Sequence, residues 1–180
     1  MQDIIQISDM TVDMIVKERT KLEYIVDNCK YETPEQICEL MTAYTLLIWK
    51  HKQVGRVYDL YYDEMAIVEE GGGDVAGSDN VIKETLATLA SVPNLGTVFC
   101  EIHCVGNPED GFRFGQVVYN LASSENGISK YGKGPGKQFA PFQDLEMCEC
   151  IMKNVDGKWR VFKEWAVRSL TGFESVLKKD

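Results

Sequence analysis

The sequence predicts an α+β domain in which helices come first and a meander of long antiparallel strands follows. Three observations predict it. Apolar residues recur at helical spacing as far as Leu89. After Pro93 the period changes to two. Asp156-Gly157, the favoured two-residue hairpin turn, then stands between two alternating runs. Helices segregated from an antiparallel sheet define the α+β class.

Each element has its own signal. Thr11 to Cys29 reads as a helix, with Thr11 as its cap and Met14, Ile15, Leu22, Ile25, Val26 and Cys29 as an apolar stripe. Thr33-Pro34-Glu35-Gln36 opens a second helix. Thr33 caps it, Pro34 occupies the first turn, and Gln36 stands where a capping box wants it. Ile37, Leu40, Met41, Tyr44, Leu47 and Ile48 carry this helix to Trp49, and Gly55 marks a junction before Val57 to Tyr61. Met65 to Glu69 is a short strand, Gly71 to Gly73 a turn, and Asp74 to Gly77 its hairpin partner. Ser78 or Asp79 caps a helix through Val81, Ile82, Leu86 and Leu89. Thr97 to Val105, Phe112 to Ser123, Gln143 to Lys153 and Lys158 to Arg168 are the long strands.

Glu125 to Pro141 is a long loop rich in glycine, with Lys130, Lys133 and Lys137 keeping it solvated. It is expected to be a mobile flap near the pocket mouth. Residues 1–32 form an extra helical segment, 33–170 the α+β domain, and 171–180 a polar tail.

Composition excludes several function classes. The 180 residues are 44% hydrophobic and 26% charged, which is globular rather than disordered. A formal charge of -9 opposes nucleic-acid binding, which needs Lys and Arg to neutralise phosphate. No apolar run approaches the roughly 20 residues of a membrane helix. The first ten residues lack the pattern of a signal peptide, so a cytoplasmic location is expected. The cysteines read as free thiols. Cys100 and Cys104 lie on a strand from which His103 points the other way, so no zinc cluster is expected there.

A family resemblance enters on three stretches. Ala43-Tyr44, the run from Val57 through Tyr58, Asp59, Leu60, Tyr61 and Tyr62 to Glu69-Glu70, and Gly77 to Ile82 resemble the front half of a known group. That group is the SnoaL-like and ketosteroid-isomerase-like branch of the nuclear-transport-factor-2-like superfamily. Asp156 to Val161 is similar to the family's last hairpin. The resemblance covers roughly Thr33 to Ser169. It implies a cone-shaped, cystatin-like curved sheet wrapped around the N-terminal helices, here with one extra helix in front. It also implies a pocket for a small, mostly apolar molecule, with no metal or organic cofactor, lined by Trp49, Tyr58, Cys148 and Trp165. The fold hosts isomerases, cyclases, dehydratases and non-catalytic modules, so both an enzyme and a binding or scaffold module stay open.

Site residues carry over by position. Glu70 matches the general base, Tyr44 an oxyanion-stabilising donor, and Glu146 a second carboxylic acid kept protonated. If Val155 pairs with Lys158, then Glu146, Cys148, Cys150 and Met152 share a face with Trp159, Val161, Trp165 and Val167. Glu149, Glu164, Arg160 and Arg168 then stand opposite. A carboxyl among Trp, Cys and Val should titrate high. Each position also has a plain structural reading. Glu70 precedes a glycine turn, Tyr44 lies on an apolar stripe, and Glu146 can sit at an exposed edge. His103 is the further catalytic candidate. It could share a face with Glu101, Gln116 and Asn120, and that face is either the pocket or the solvent side. Leu145, Met147, Ile151 and Phe162 on the other face predict a homodimer through the sheet.

Overall fold

Thr33 starts the helix around which the sheet curves. Its hydroxyl accepts from the Gln36 backbone N–H at 3.4 Å, and the Gln36 side chain accepts from the Thr33 backbone N–H at 3.1 Å. This capping box satisfies two N–H groups that the helix cannot. A computed structural model describes residues 7–28, 30–63, 67–70, 73–124 and 140–169. The expected flap between Glu125 and Pro141 falls largely on residues 125–139, outside the described residues.

The helices are α1 (Val12–Asn28), α2 (Pro34–Thr45), α3 (Val57–Leu60) and α4 (Ser78–Ser91). A π-helical turn, Leu46–Lys50, extends α2, and a 3-10 turn, Val54–Arg56, leads into α3. The extra N-terminal helix α1 buries Leu22 and Ile25. Ion pairs tie it to the following segment. Glu18 accepts from Lys50 Nζ at 2.9 Å, and Arg56 reaches both oxygens of Asp27 at 2.7 and 3.0 Å. Among the described residues, no helix is long and apolar enough to cross a membrane.

The strands are β1 (Ile67–Glu70), β2 (Gly73–Ala76), β3 (Gly96–Asn107), β4 (Gly111–Ser124), β5 (Ala140–Val155) and β6 (Lys158–Arg168). They form one sheet in the order β2-β1-β6-β5-β4-β3. All neighbours are antiparallel except β1 and β6. The final hairpin has the expected turn. Val155 pairs with Lys158, and Asp156 and Gly157 both take positive φ, 51° and 82°. That backbone matches the twist of the flanking strands. The core packs Phe114, Ile37, Leu47, Met152, Val57 and Val161 between α2 and the concave face. Trp159 closes one end, with its indole N–H donating to the Tyr31 carbonyl at 2.7 Å.

Two bulges decide which side chains enter the cone. On β6 the register slips between the pairs Ile151–Lys163 and Met152–Val161, so Phe162 has no partner. One extra residue reverses the facing of everything beyond it. Trp159 and Val161 point inward, as the unbroken register predicts. Past the bulge, Glu164, Ala166 and Arg168 replace Trp165 and Val167 on the inner face. On β3 a bulge at Cys100 has the same effect. Thr97 pairs with buried Asn120, and Ile102 pairs with Gln116. Glu101 and His103 are therefore exposed, on the opposite face from Gln116 and Asn120.

Candidate functional site

Residues of even number on β5 face the cone, so Asp144, Glu146, Cys148 and Cys150 form an inward row. Their partners across the strands are Asn120, Val118, Gln116 and Phe114 on β4, and Arg168, Ala166 and Glu164 on β6. Trp49 from the π-helical turn and Thr88 from α4 lie over this row. They and Arg168 wall two adjoining chambers. One encloses ≈ 30 Å³ beside Asn120, Asp144 and Glu146. The other encloses ≈ 50 Å³ beside Tyr61 and Glu164.

Glu146 lines the first chamber, and its partner Arg168 lines both. Arg168 Nε lies 3.1 Å from its Oε2, and Arg168 Nη2 donates to its Oε1 at 3.2 Å. Asn120 Nδ2 donates to Oε2 at 3.3 Å and the Cys148 thiol to Oε1 at 3.1 Å. Asn120 is itself held by the Thr97 hydroxyl at 2.7 Å. Glu146 is ion-paired and surrounded by donors, where the sequence implied an apolar setting. The reason is the β6 bulge, which brings Arg168 inward.

The carboxyls that burial pushes up are its neighbours. Burial pushes the Asp144 carboxyl up, and the charge of Glu146 adds to it, while Arg168 and Ser169 oppose. Burial also raises Glu164, and Glu146 again adds, against the Tyr61 hydroxyl that donates to it. The Tyr61 phenol and Cys148 thiol are driven well above their ordinary ranges, chiefly by burial. One ion-paired glutamate thus stands beside two carboxyls whose pKa values are raised. Enzymes that divide base and donor roles among carboxyl groups use such environments. Gln116 Oε1 is also buried on this wall without a hydrogen-bond donor among the described residues.

Glu164 carries a consequence for stability. Its raised value means that the folded chain keeps a proton which the unfolded chain releases above the ordinary 4.5. The unfolded state then binds fewer protons, so this group lowers stability as pH rises from there until the folded carboxyl also ionises. Below the ordinary value both states are protonated and the penalty vanishes. Glu164→Gln should therefore gain more stability over wild type at pH 7 than at pH 4, measured by urea unfolding.

Two of the other expected site residues, Tyr44 and His103, lie outside this cavity. Glu70 ends β1, with its backbone beside Ala166, and its side chain lies outside the described residues. Tyr44 is buried on α2 and lines a different cleft, near Asp59, Arg56 and Asp27. His103 lies on the outer face, its ring against Gly115, where an added Cβ would come within 2.3 Å of it. Of the expected pocket lining, Trp49 and Cys148 face the interior. Tyr58 is exposed and donates to Asp79 at 2.6 Å. Trp165 is turned outward by the bulge, under Lys163 and Arg113. The lining is also more polar than expected, with Thr45, Thr97 and Gln116 beside the charged groups. Asp144, Arg168, Glu164 and Tyr61 were not among the expected site residues, and Asn120, expected only as a face-mate of His103, lines the cavity without it. Asp144 alone had a visible signal, two residues before Glu146 on a strand of period two.

No family model and no curated protein matches the chain. Solved structures do. One is a nuclear transport factor 2-like superfamily protein from Salmonella enterica serovar Typhimurium, with TM-score 0.57, 11% identity, and coverage of 73% of this chain and 87% of that one. The fold is nuclear-transport-factor-2-like. A putative polyketide cyclase from Acidithiobacillus ferrooxidans shares this fold at TM-score 0.58 and 12% identity, over 76% of this chain and 89% of the other. So does a ketosteroid isomerase-like protein from Erwinia carotovora atroseptica, at TM-score 0.56 and 11% identity, over 73% and 93%. At such identities the nuclear-transport-factor-2-like likeness speaks for the fold alone.

Proposed function

We propose that the two small chambers open into one carboxyl cavity on ligand entry, and that this cavity binds a small molecule bearing a carbonyl group and catalyses proton abstraction beside it, without a cofactor. Isomerisation, cyclisation or elimination would follow. The carrying observation is the Asp144–Glu146–Glu164 cluster with its single arginine. Glu146 serves as the base. Asp144 in one chamber and Glu164 in the other, both with raised pKa values, are the candidate donors to the oxygen on which charge develops. Trp49, Val68 and Val81 offer apolar contact to the rest of the ligand. The solved relatives described as a putative polyketide cyclase and as ketosteroid isomerase-like support this class of chemistry.

The test needs no known substrate. A panel of small ketones and β-keto esters in D₂O would be followed by proton NMR for exchange at the carbon beside the carbonyl. Exchange above the buffer rate supports the enzyme. Binding of panel members without exchange favours the alternative, a non-catalytic small-molecule-binding or scaffold module.

We also infer a homodimer through the convex face. Leu145, Met147 and Val167 are exposed there beside Trp165, while Phe162 is covered by Tyr62 at a 4.3 Å ring separation. Light scattering is expected to give twice the chain mass at micromolar concentration, and Met147→Lys to shift it toward one chain. A wild-type monomer would contradict the inference.

A further inference from the structure

Tyr44 lines a cleft that shares no wall residue with the carboxyl cavity. This cleft holds ≈ 600 Å³, between the end of α1, α2, α3 and the two hairpin turns at Pro108 and Gly157. That is ample for a small organic molecule. Tyr44 is only 6% exposed, yet its hydroxyl makes no hydrogen bond among the described residues. Buried phenols ordinarily find a partner. Three of its four electrostatic neighbours, Asp59, Arg56 and Asp27, line the cleft, which points its hydroxyl end there.

The wall carries three cations, Arg56, Lys30 and Lys158, and three carboxylates, Asp27, Asp59 and Glu32, and Lys158 also acts on Asp27. Arg56 is engaged by Asp27 at 2.7 Å and by Asp59 at 3.3 Å. Lys30 and Lys158 form no ion pair among the described residues, and both are exposed. Val26, Leu40 and Trp159 supply an apolar floor between them.

We propose that this cleft is a second binding site, for a small organic anion. Its apolar body lies on Val26, Leu40 and Trp159, an oxygen accepts from the Tyr44 hydroxyl, and Lys30 and Lys158 hold the negative end. The phenol is a durable donor. Burial, with the charge of Asp59, pushes its pKa up to about 12, so it stays protonated at neutral pH. The site is independent of the chemistry assigned to the carboxyl cavity.

The experiment uses two probes of like shape, 1-naphthoate and 1-naphthylmethanol, titrated into the ¹⁵N-labelled chain. The carboxylate is expected to shift the amide signals of Tyr44, Gly157 and Lys158, and to bind more tightly than the alcohol. Replacing Lys30 and Lys158 with alanine should abolish that preference, at about fivefold in affinity for each lysine. Tyr44→Phe should weaken binding by about fivefold, and Glu146→Gln should leave it unchanged. Thermal melting checks that each variant is folded, and the exposed lysine pair decides if Tyr44→Phe is not. Shifts confined to Asn120, Asp144 and Ser169, equal binding of the two probes, or no shift at millimolar probe would each overturn the proposal.

Discussion

Arg168→Leu is expected to destabilise the folded chain by about 3–5 kcal/mol, the usual cost of leaving a buried charge without its partner. The side chains of Arg168 and Glu146 are only 10% and 13% exposed, so water cannot take over the lost interaction. Arg168 also holds down the carboxyls of Asp144 and Glu164, both of which rise further without it. The loss is large against a typical stability of about 5–15 kcal/mol. Removing both charges, as in Glu146→Gln with Arg168→Leu, should recover most of it, because no unpaired ion then remains. Urea unfolding of the two single variants and the double variant measures the coupling. A loss below about 1 kcal/mol for Arg168→Leu would mean that the pair behaves as a surface contact.

Glu146→Gln is expected to lower proton exchange on any accepted ketone by about 10²–10⁴-fold, the range that a positioned general base contributes. Glutamine keeps the size of the side chain and can still accept from Asn120 and Arg168, so binding should change little. It cannot take up the proton. Glu70→Gln is the informative companion, because the family resemblance places the base there. The cavity described above expects that variant to keep its activity within tenfold. The reverse ranking would move the base to Glu70 and leave Glu146 as a positioning residue for Arg168.

Much of the fold was legible because each element announces itself locally. Thr33-Pro34-Glu35-Gln36 forms the capping box it spells, and Asp156-Gly157 forms the turn that sets the β5–β6 register. The site was legible only in part, because facing on a strand is a parity and a single extra residue inverts it. Phe162 is that residue on β6. Nothing in its chemistry marks it, since Phe suits a regular strand equally well. The bulge exchanges Trp165 for Glu164 and brings Arg168 inward, turning an apolar wall into a charged one. Cys100 does the same on β3 and leaves His103 outside. Tyr44 illustrates a different limit. Its place on the apolar stripe of α2 was plain, but which of two cavities its hydroxyl meets depends on how α1 and the hairpin turns close around it.

The account rests on carboxyls with raised pKa values beside an ion-paired glutamate. Carbon-13 NMR of the glutamate side-chain carboxyls tests this most directly, with Glu164 assigned by loss of its signal in Glu164→Gln. As pH is raised, the Glu164 signal should move with a midpoint clearly above the ordinary 4.5. The midpoint should fall back toward the ordinary value when Glu146→Gln removes the neighbouring negative charge. A Glu164 midpoint at or below 4.5 in the wild-type chain would contradict the account, because burial and the charge of Glu146 would then not raise it.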